Sequence, residues 1–281
     1  MKKQHIILFV CILIPVLFFS CTQKTVKTEE KDLTQKFYLV SDTSKGSLSV
    51  DIHVELPVDF KNKAVLDSVR NIIISNLFGK EFISQSNDSV VQLYIKMLHT
   101  DYKDNNEALV NELDTASSYS FNNEHTLEGF GLISDKHIYS YGIDRYIYMG
   151  GAHGLNTRNY FNFDLKTGKL ISEKDLFVAN YESALSELIK KRIFEDSKEE
   201  QAKEPNTESI LSLDDTDFWT DSIKPNGNFY ITDESINYIF NPYEIAPYYM
   251  GITEVSLPYD RLEDLLKPNS LIAYLVKKQD K

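Results

Sequence analysis

Two stretches of the chain hold side chains whose types and spacing could do chemistry. The first is Gly150-Gly151-Ala152-His153-Gly154, where His153 stands among three of the chain's eleven glycines. A histidine so placed could act as a general base or bind a metal. A metal site needs three or four converging ligands, and no second His or Cys lies at ligand spacing from His153. A structural role, hydrogen-bonding across a corner built by Gly150, Gly151 and Gly154, stands beside the chemical one. Asp164 and Asp175 could pair as the acid and base of a glycosidase, although Asp164 also reads as the outward residue of a hairpin. Gly-x-Ser-x-Gly, the P-loop and Gly-x-Gly-x-x-Gly do not occur, so esterase and nucleotide chemistry lack their usual carriers. The expectation is therefore no catalytic residue, no metal and no cofactor.

The second stretch is the loop 241–251, in which Tyr243, Tyr248 and Tyr249 lie beside Pro242 and Pro247. Tyrosines on a proline-stiffened loop offer amphipathic area at low entropic cost, which suits a binding surface or a sugar platform. Glu244 adds a carboxylate for an arginine or a sugar hydroxyl. The alternative, that these tyrosines pack beneath the loop, stays open at this point.

Regular elements must hold both stretches in place. Residues 49–57 alternate, with Val50, Ile52, Val54 and Leu56 inward and Asp51, His53 and Glu55 outward, as in a half-buried strand. A helix is expected over 62–78, on the apolar stripe of Val65, Leu66, Val69, Ile72, Ile73 and Leu77, with Gly79 closing it. A second helix begins near Asn87. Two long strands, 117–134 and 136–149, lead to the glycine corner, and Gly142 marks a close backbone approach. Phe161, Phe163 and Leu165 share one face of the next strand, with Tyr160, Asn162 and Asp164 opposite. Residues 166–169 form a tight turn with Gly168 left-handed. Further on lie a helix over 180–194 and an acidic excursion over 195–217, closed by Trp219. A hairpin over 228–240, a strand over 251–257 and a helix from Pro258 to Pro268 complete the pattern. Unequal blocks of strands and helices, without regular alternation, indicate an α+β fold of antiparallel sheets with packed helices.

The N-terminus reads as an export signal. Lys2 and Lys3 precede an apolar run over 6–19, too short for a spanning helix. The run ends in Leu17-Phe-Phe-Ser-Cys21, which resembles a bacterial lipobox with Phe18 in place of the usual leucine. That likeness implies cleavage before Cys21 and lipid on it. Removal of residues 1–20 takes away Lys2 and Lys3 and no acid, moving the formal charge from −12 to −14. A body so acidic excludes nucleic acid and anionic lipid as partners of a basic face and favours a basic one. Residues 21–35, polar and poor in apolar groups, read as a flexible tether.

Two motif groups then carry a resemblance: Gly150-Gly-Ala-His-Gly154 with Phe161-Asn-Phe-Asp-Leu165, and Asn241-Pro-Tyr-Glu-Ile-Ala-Pro-Tyr-Tyr-Met-Gly251. In this order they resemble the extracytoplasmic domain family of the RsiV anti-sigma factors and the non-catalytic N-terminal module of the PdaC peptidoglycan deacetylases. The resemblance covers roughly residues 37–266. It implies a two-part module, with halves over 36–135 and 136–278, and a habit of binding lysozyme rather than a reaction. No spanning helix or sigma-binding segment is read here, so control of a sigma factor is not carried over. The expected protein is a lipid-anchored envelope binder of lysozyme or a peptidoglycan-like glycan. A glycan-acting hydrolase or esterase, and an accessory lipoprotein for another envelope protein, are the alternatives.

Overall fold

The computed structural model describes residues 25–112, 121–203 and 209–279. The signal segment and Cys21 lie outside the described residues. The chain begins with strands β1 (Lys27–Tyr38) and β2 (Ser47–Asp59), followed by helices α1 (Lys63–Leu77) and α2 (Asn87–Glu112). Strands β3 (Asn123–Ser134), β4 (Ile138–Tyr148), β5 (Leu155–Asp164) and β6 (Lys169–Leu170) complete a six-stranded sheet in sequence order. A short helix α3 (Glu173–Leu176) and a long one, α4 (Glu182–Gln201), come next. A second sheet of three strands, β7 (Phe229–Ile231), β8 (Ser235–Phe240) and β9 (Thr253–Pro258), and a final helix α5 (Ala273–Gln279) close the chain.

The class is α+β, as the block pattern indicates. The first sheet is mixed, because β2 and β3 run parallel while its other pairs are antiparallel. The crossover from β2 through α1 and α2 returns the chain in the same direction, which a tight hairpin cannot do. Helix α1 starts where Asn62 accepts hydrogen bonds from the amides of Ala64 and Val65. Its stripe of Val65, Val69, Ile73 and Leu77 packs against the inward residues Val50, Ile52 and Val54 of β2.

Several expectations need correction. The tether does not extend to residue 35: Val26 is buried and β1 pairs residue for residue with β2. Backbone pairing orders this segment where its polar composition signals none. A boundary between residues 135 and 136 would cut the β3–β4 hairpin, and Tyr139, Tyr141 and Ile143 of β4 enter the first core. The two cores part instead after Leu165: one gathers residues up to there, the other Ile138 and residues from Ile171 onward. The outward face of β5 is also not solvated. Tyr160 and Asn162 are buried beneath the second sheet. Asn162 accepts from the Ser140 hydroxyl at 2.7 Å and donates to the Phe229 carbonyl at 2.7 Å, so one side chain links the two sheets. After Pro258 there is a single tight turn, Tyr259–Arg261, in place of a helix, and the last helix lies further on, at α5.

Candidate binding surface

The corner and the tyrosine loop, nearly a hundred residues apart, meet. Gly150 (φ 85°) and Gly151 (φ 102°) occupy the left-handed region that side chains disfavour, and they turn the chain between β4 and β5. Gly154 has another reason to be glycine: a Cβ there would lie 2.5 Å from the Tyr146 ring. The corner thus folds down on β4, tied also by the Tyr148 hydroxyl, which donates to the Gly151 carbonyl at 3.0 Å.

The loop is clasped to this corner by Tyr248. Its ring stacks on the His153 imidazole with centroids 3.8 Å apart and planes 21° apart, and its hydroxyl donates to the Gly154 carbonyl at 2.7 Å. The Tyr243 ring lies tilted against that of Tyr248, centroids 5.7 Å apart. His153 is itself exposed, its Nδ1 3.0 Å from the Gly154 carbonyl oxygen. No group of three His, Cys, Asp or Glu that could hold a metal occurs among the described residues. Asp164 and Asp175 serve local turns instead. Asp164 holds Lys166 and Thr167, and Asp175 closes the capping box of Ser172, whose hydroxyl hydrogen bond holds the Asp175 pKa below the usual carboxylate range.

The loop tyrosines divide their work. Tyr248 is half-buried and joins the parts, whereas Tyr243 (54% exposed) and Tyr249 (68%) face solvent. Met250 adjoins them on the same loop, whereas Met149 and Leu155, also exposed, lie on the helix-bearing side of the sheet beside α2. Tyr243 holds φ at +71°, a strained setting for a side chain of its size. Glu244 is exposed and accepts from the Asn226 amide at 2.9 Å. Pro247 leads into the short turn Tyr248–Met250.

Residues that sequence reasoning passed over hold the loop in place. Asn241 accepts the Arg158 amide at 2.7 Å, and Asn228 exchanges hydrogen bonds with Arg158 and Tyr160, so two asparagines occupy the outer backbone of β5. The turn-forming Asn-Pro pair at 241–242 was the available signal. Trp219 fastens the acidic excursion through its backbone amide, which reaches the Ile245 carbonyl at 2.7 Å, while its ring stays partly exposed. The Asp217 carboxylate beside the Tyr249 hydroxyl raises its pKa. Beside Tyr248 and Tyr249 lies an open groove of about 450 Å³, lined by Asn156, Arg158, Pro242 and Glu254. Arg158 makes a forked pair with Asp144 at 2.6–2.9 Å, which raises its own pKa further.

A family model described as "Protein of unknown function (DUF3298)" matches residues 174–260, which include α4, the second sheet and the whole tyrosine loop. Residues 174–260 are thus similar to DUF3298 domains. The chain is 31% identical over 125 residues to the anti-sigma-V factor RsiV of Bacillus subtilis strain 168, a span of 44% of this chain and 42% of that protein. A crystal structure of a DUF3298 family member from Bacteroides fragilis NCTC 9343 superposes with a TM-score of 0.80 at 25% identity, covering 90% of this chain and 99% of the other. A DUF3298 family protein from Pseudomonas aeruginosa PAO1 shares the fold at a TM-score of 0.54 and 17% identity, over 87% and 97% of the two chains. Among the described residues, no helix is long and apolar enough to cross a membrane.

Proposed function

We propose that this protein is an exported binding domain of the cell envelope, held to a membrane by lipid on Cys21, which takes a partner on the corner-and-loop surface and performs no catalysis. The partner class is a basic protein such as lysozyme. One observation carries the reading: the two motif groups that resemble RsiV are brought together by the His153–Tyr248 stack and the Tyr248–Gly154 hydrogen bond. The same contact leaves Tyr243, Tyr249 and Met250 exposed on the loop. Rigid aromatic groups beside thioethers are what protein interfaces concentrate at their centres. A net charge of −12 before any processing favours a basic partner.

The groove beside Tyr248 and Tyr249 supports a second ligand class, a peptidoglycan-like glycan. It sets the Asn156 amide and the Glu254 carboxylate next to aromatic faces, the mixture that holds sugar hydroxyls and ring faces. Calorimetric titration of the purified domain with animal lysozyme and with soluble glycan fragments separates the two. Saturable lysozyme binding at low salt is expected; its absence would withdraw lysozyme as the partner. Release of fragments from labelled peptidoglycan would overturn the non-catalytic reading. Cys21→Ser is expected to move the protein out of the membrane fraction, and continued sedimentation with membranes would exclude Cys21 as the anchor.

A further inference from the structure

One face of the six-stranded sheet is sealed by α1 and α2, and the other stays open over β1, β2 and β3. Residues that are cross-strand partners point to the same side, so the open face can be read from the register. β1 contributes Glu30 and Asp32, β2 contributes Asp51 and Glu55, and β3 contributes Glu124 and Glu128. All six are exposed except Glu55, which is half-buried. Lys36 is the lysine on the same face of β1, and Arg158, on β5, is already engaged by Asp144. His53 stands in the middle, paired with Asp32 and level with Glu128.

Two features separate this face from an ordinary solvated one. Glu30 lies directly across the strand pair from Glu55. Like charges so placed weaken a sheet, even though Glu55 also accepts the Thr28 hydroxyl at 3.0 Å. The face is also continuous with the aromatic surface. Glu124 is level with Tyr148, and Thr126 with Tyr146, the ring that lies under Gly154. Strands about 4.8 Å apart put the β1 carboxylates about 14 Å from β4, within the span of one protein partner.

We propose that the open face of β1–β3 is a docking surface for a basic protein, which meets these carboxylates while its other edge seats on the corner tyrosines. This rests on the reading of the corner and loop as a partner site and adds the part of the partner's surface that must carry lysine and arginine. Charges farther from the contact than a Debye length, about 8 Å at physiological salt, are screened. At that salt the effect is therefore local to this face, not a property of the net charge.

The test compares two triple variants of the full domain in association kinetics with lysozyme at low and physiological salt. In the first, E30Q, E124Q and E128Q neutralise the face. In the second, E199Q, E263Q and D264N remove the same charge from exposed positions outside it. The face variant is expected to associate about tenfold more slowly at low salt, with the dissociation rate little changed and the melting temperature retained or raised. The control is expected to stay within about twofold of wild type. Glu30→Lys alone is a second variant, expected to slow association about threefold. Equal slowing in both triple variants would show net charge to be sufficient and overturn the proposal, as would an unchanged rate in the face variant. In those cases wild type still binds, so the corner site stands. Lack of saturable binding by wild type would instead remove the corner site and the docking face together.

Discussion

Tyr243 holds a backbone conformation that glycine would adopt more cheaply, at φ +71°. Left-handed geometry costs a side-chain-bearing residue about 1–2 kcal/mol. Replacing Tyr243 by Gly relieves that strain. Against it stand about 0.5–1 kcal/mol for the freer unfolded chain and about 0.5–1 kcal/mol for the lost ring contact with Tyr248, 5.7 Å away. The net change is expected to be within about 1 kcal/mol of zero. Tyr243→Ala keeps the strain and loses the ring, so it should fall about 1 kcal/mol below Tyr243→Gly, or about 2–4 °C in a domain of this size. Binding should behave oppositely. If the exposed ring is an anchor for the partner, both variants lose at least about 2 kcal/mol of affinity, near thirtyfold. Thermal unfolding monitored by circular dichroism, with a lysozyme titration on the same preparations, reads both quantities. Equal melting of the two variants would show that the strain is no larger than the entropic cost of glycine, about 0.5–1 kcal/mol. Wild-type affinity in Tyr243→Gly would refute the reasoning that strain is kept here for binding.

The other expectations are smaller in scope. Asn162→Ala should cost about 2–4 kcal/mol in denaturant unfolding, since it leaves the Ser140 hydroxyl and the Phe229 carbonyl buried without partners. Gly154→Val should destabilise by the clash with Tyr146, and Gly151→Val by positive φ, about 1–3 kcal/mol each, whereas His153→Gln should cost less than either. His53 is held above its ordinary pKa by its hydrogen bond to Asp32. Its small contribution to stability is thus complete below the unfolded pKa and lost as pH rises through the folded one. In Asp32→Asn, the His53 proton resonance should titrate at a lower pH than in wild type; an unmoved midpoint would contradict the pairing.

Much of this arrangement is legible in the residues. Period-two alternation located β2 and β5, the stripe from Val65 to Leu77 located α1, and Gly168 located the β5–β6 turn, because each signal is local. What stayed hidden depends on partners distant in sequence. β1 reads as polar chain because its order comes from pairing with β2. Asn162 reads as outward because nothing in its own strand announces the sheet that covers it. The three glycines of the corner look alike in sequence, yet two answer to φ and one to the Tyr146 ring. The tyrosines were legible as a group and not as individuals. Only the clasp between loop and corner distinguishes Tyr248, which joins, from Tyr243 and Tyr249, which face outward.

The most direct test of the corner-and-loop surface is amide hydrogen exchange of the domain with and without lysozyme. Residues 149–156 and 241–252 should gain protection together on addition of the partner, since the Tyr248 clasp makes them one surface. Protection confined to another region, such as the cleft between Tyr160 and Lys174, or a gain in one segment without the other, would contradict it.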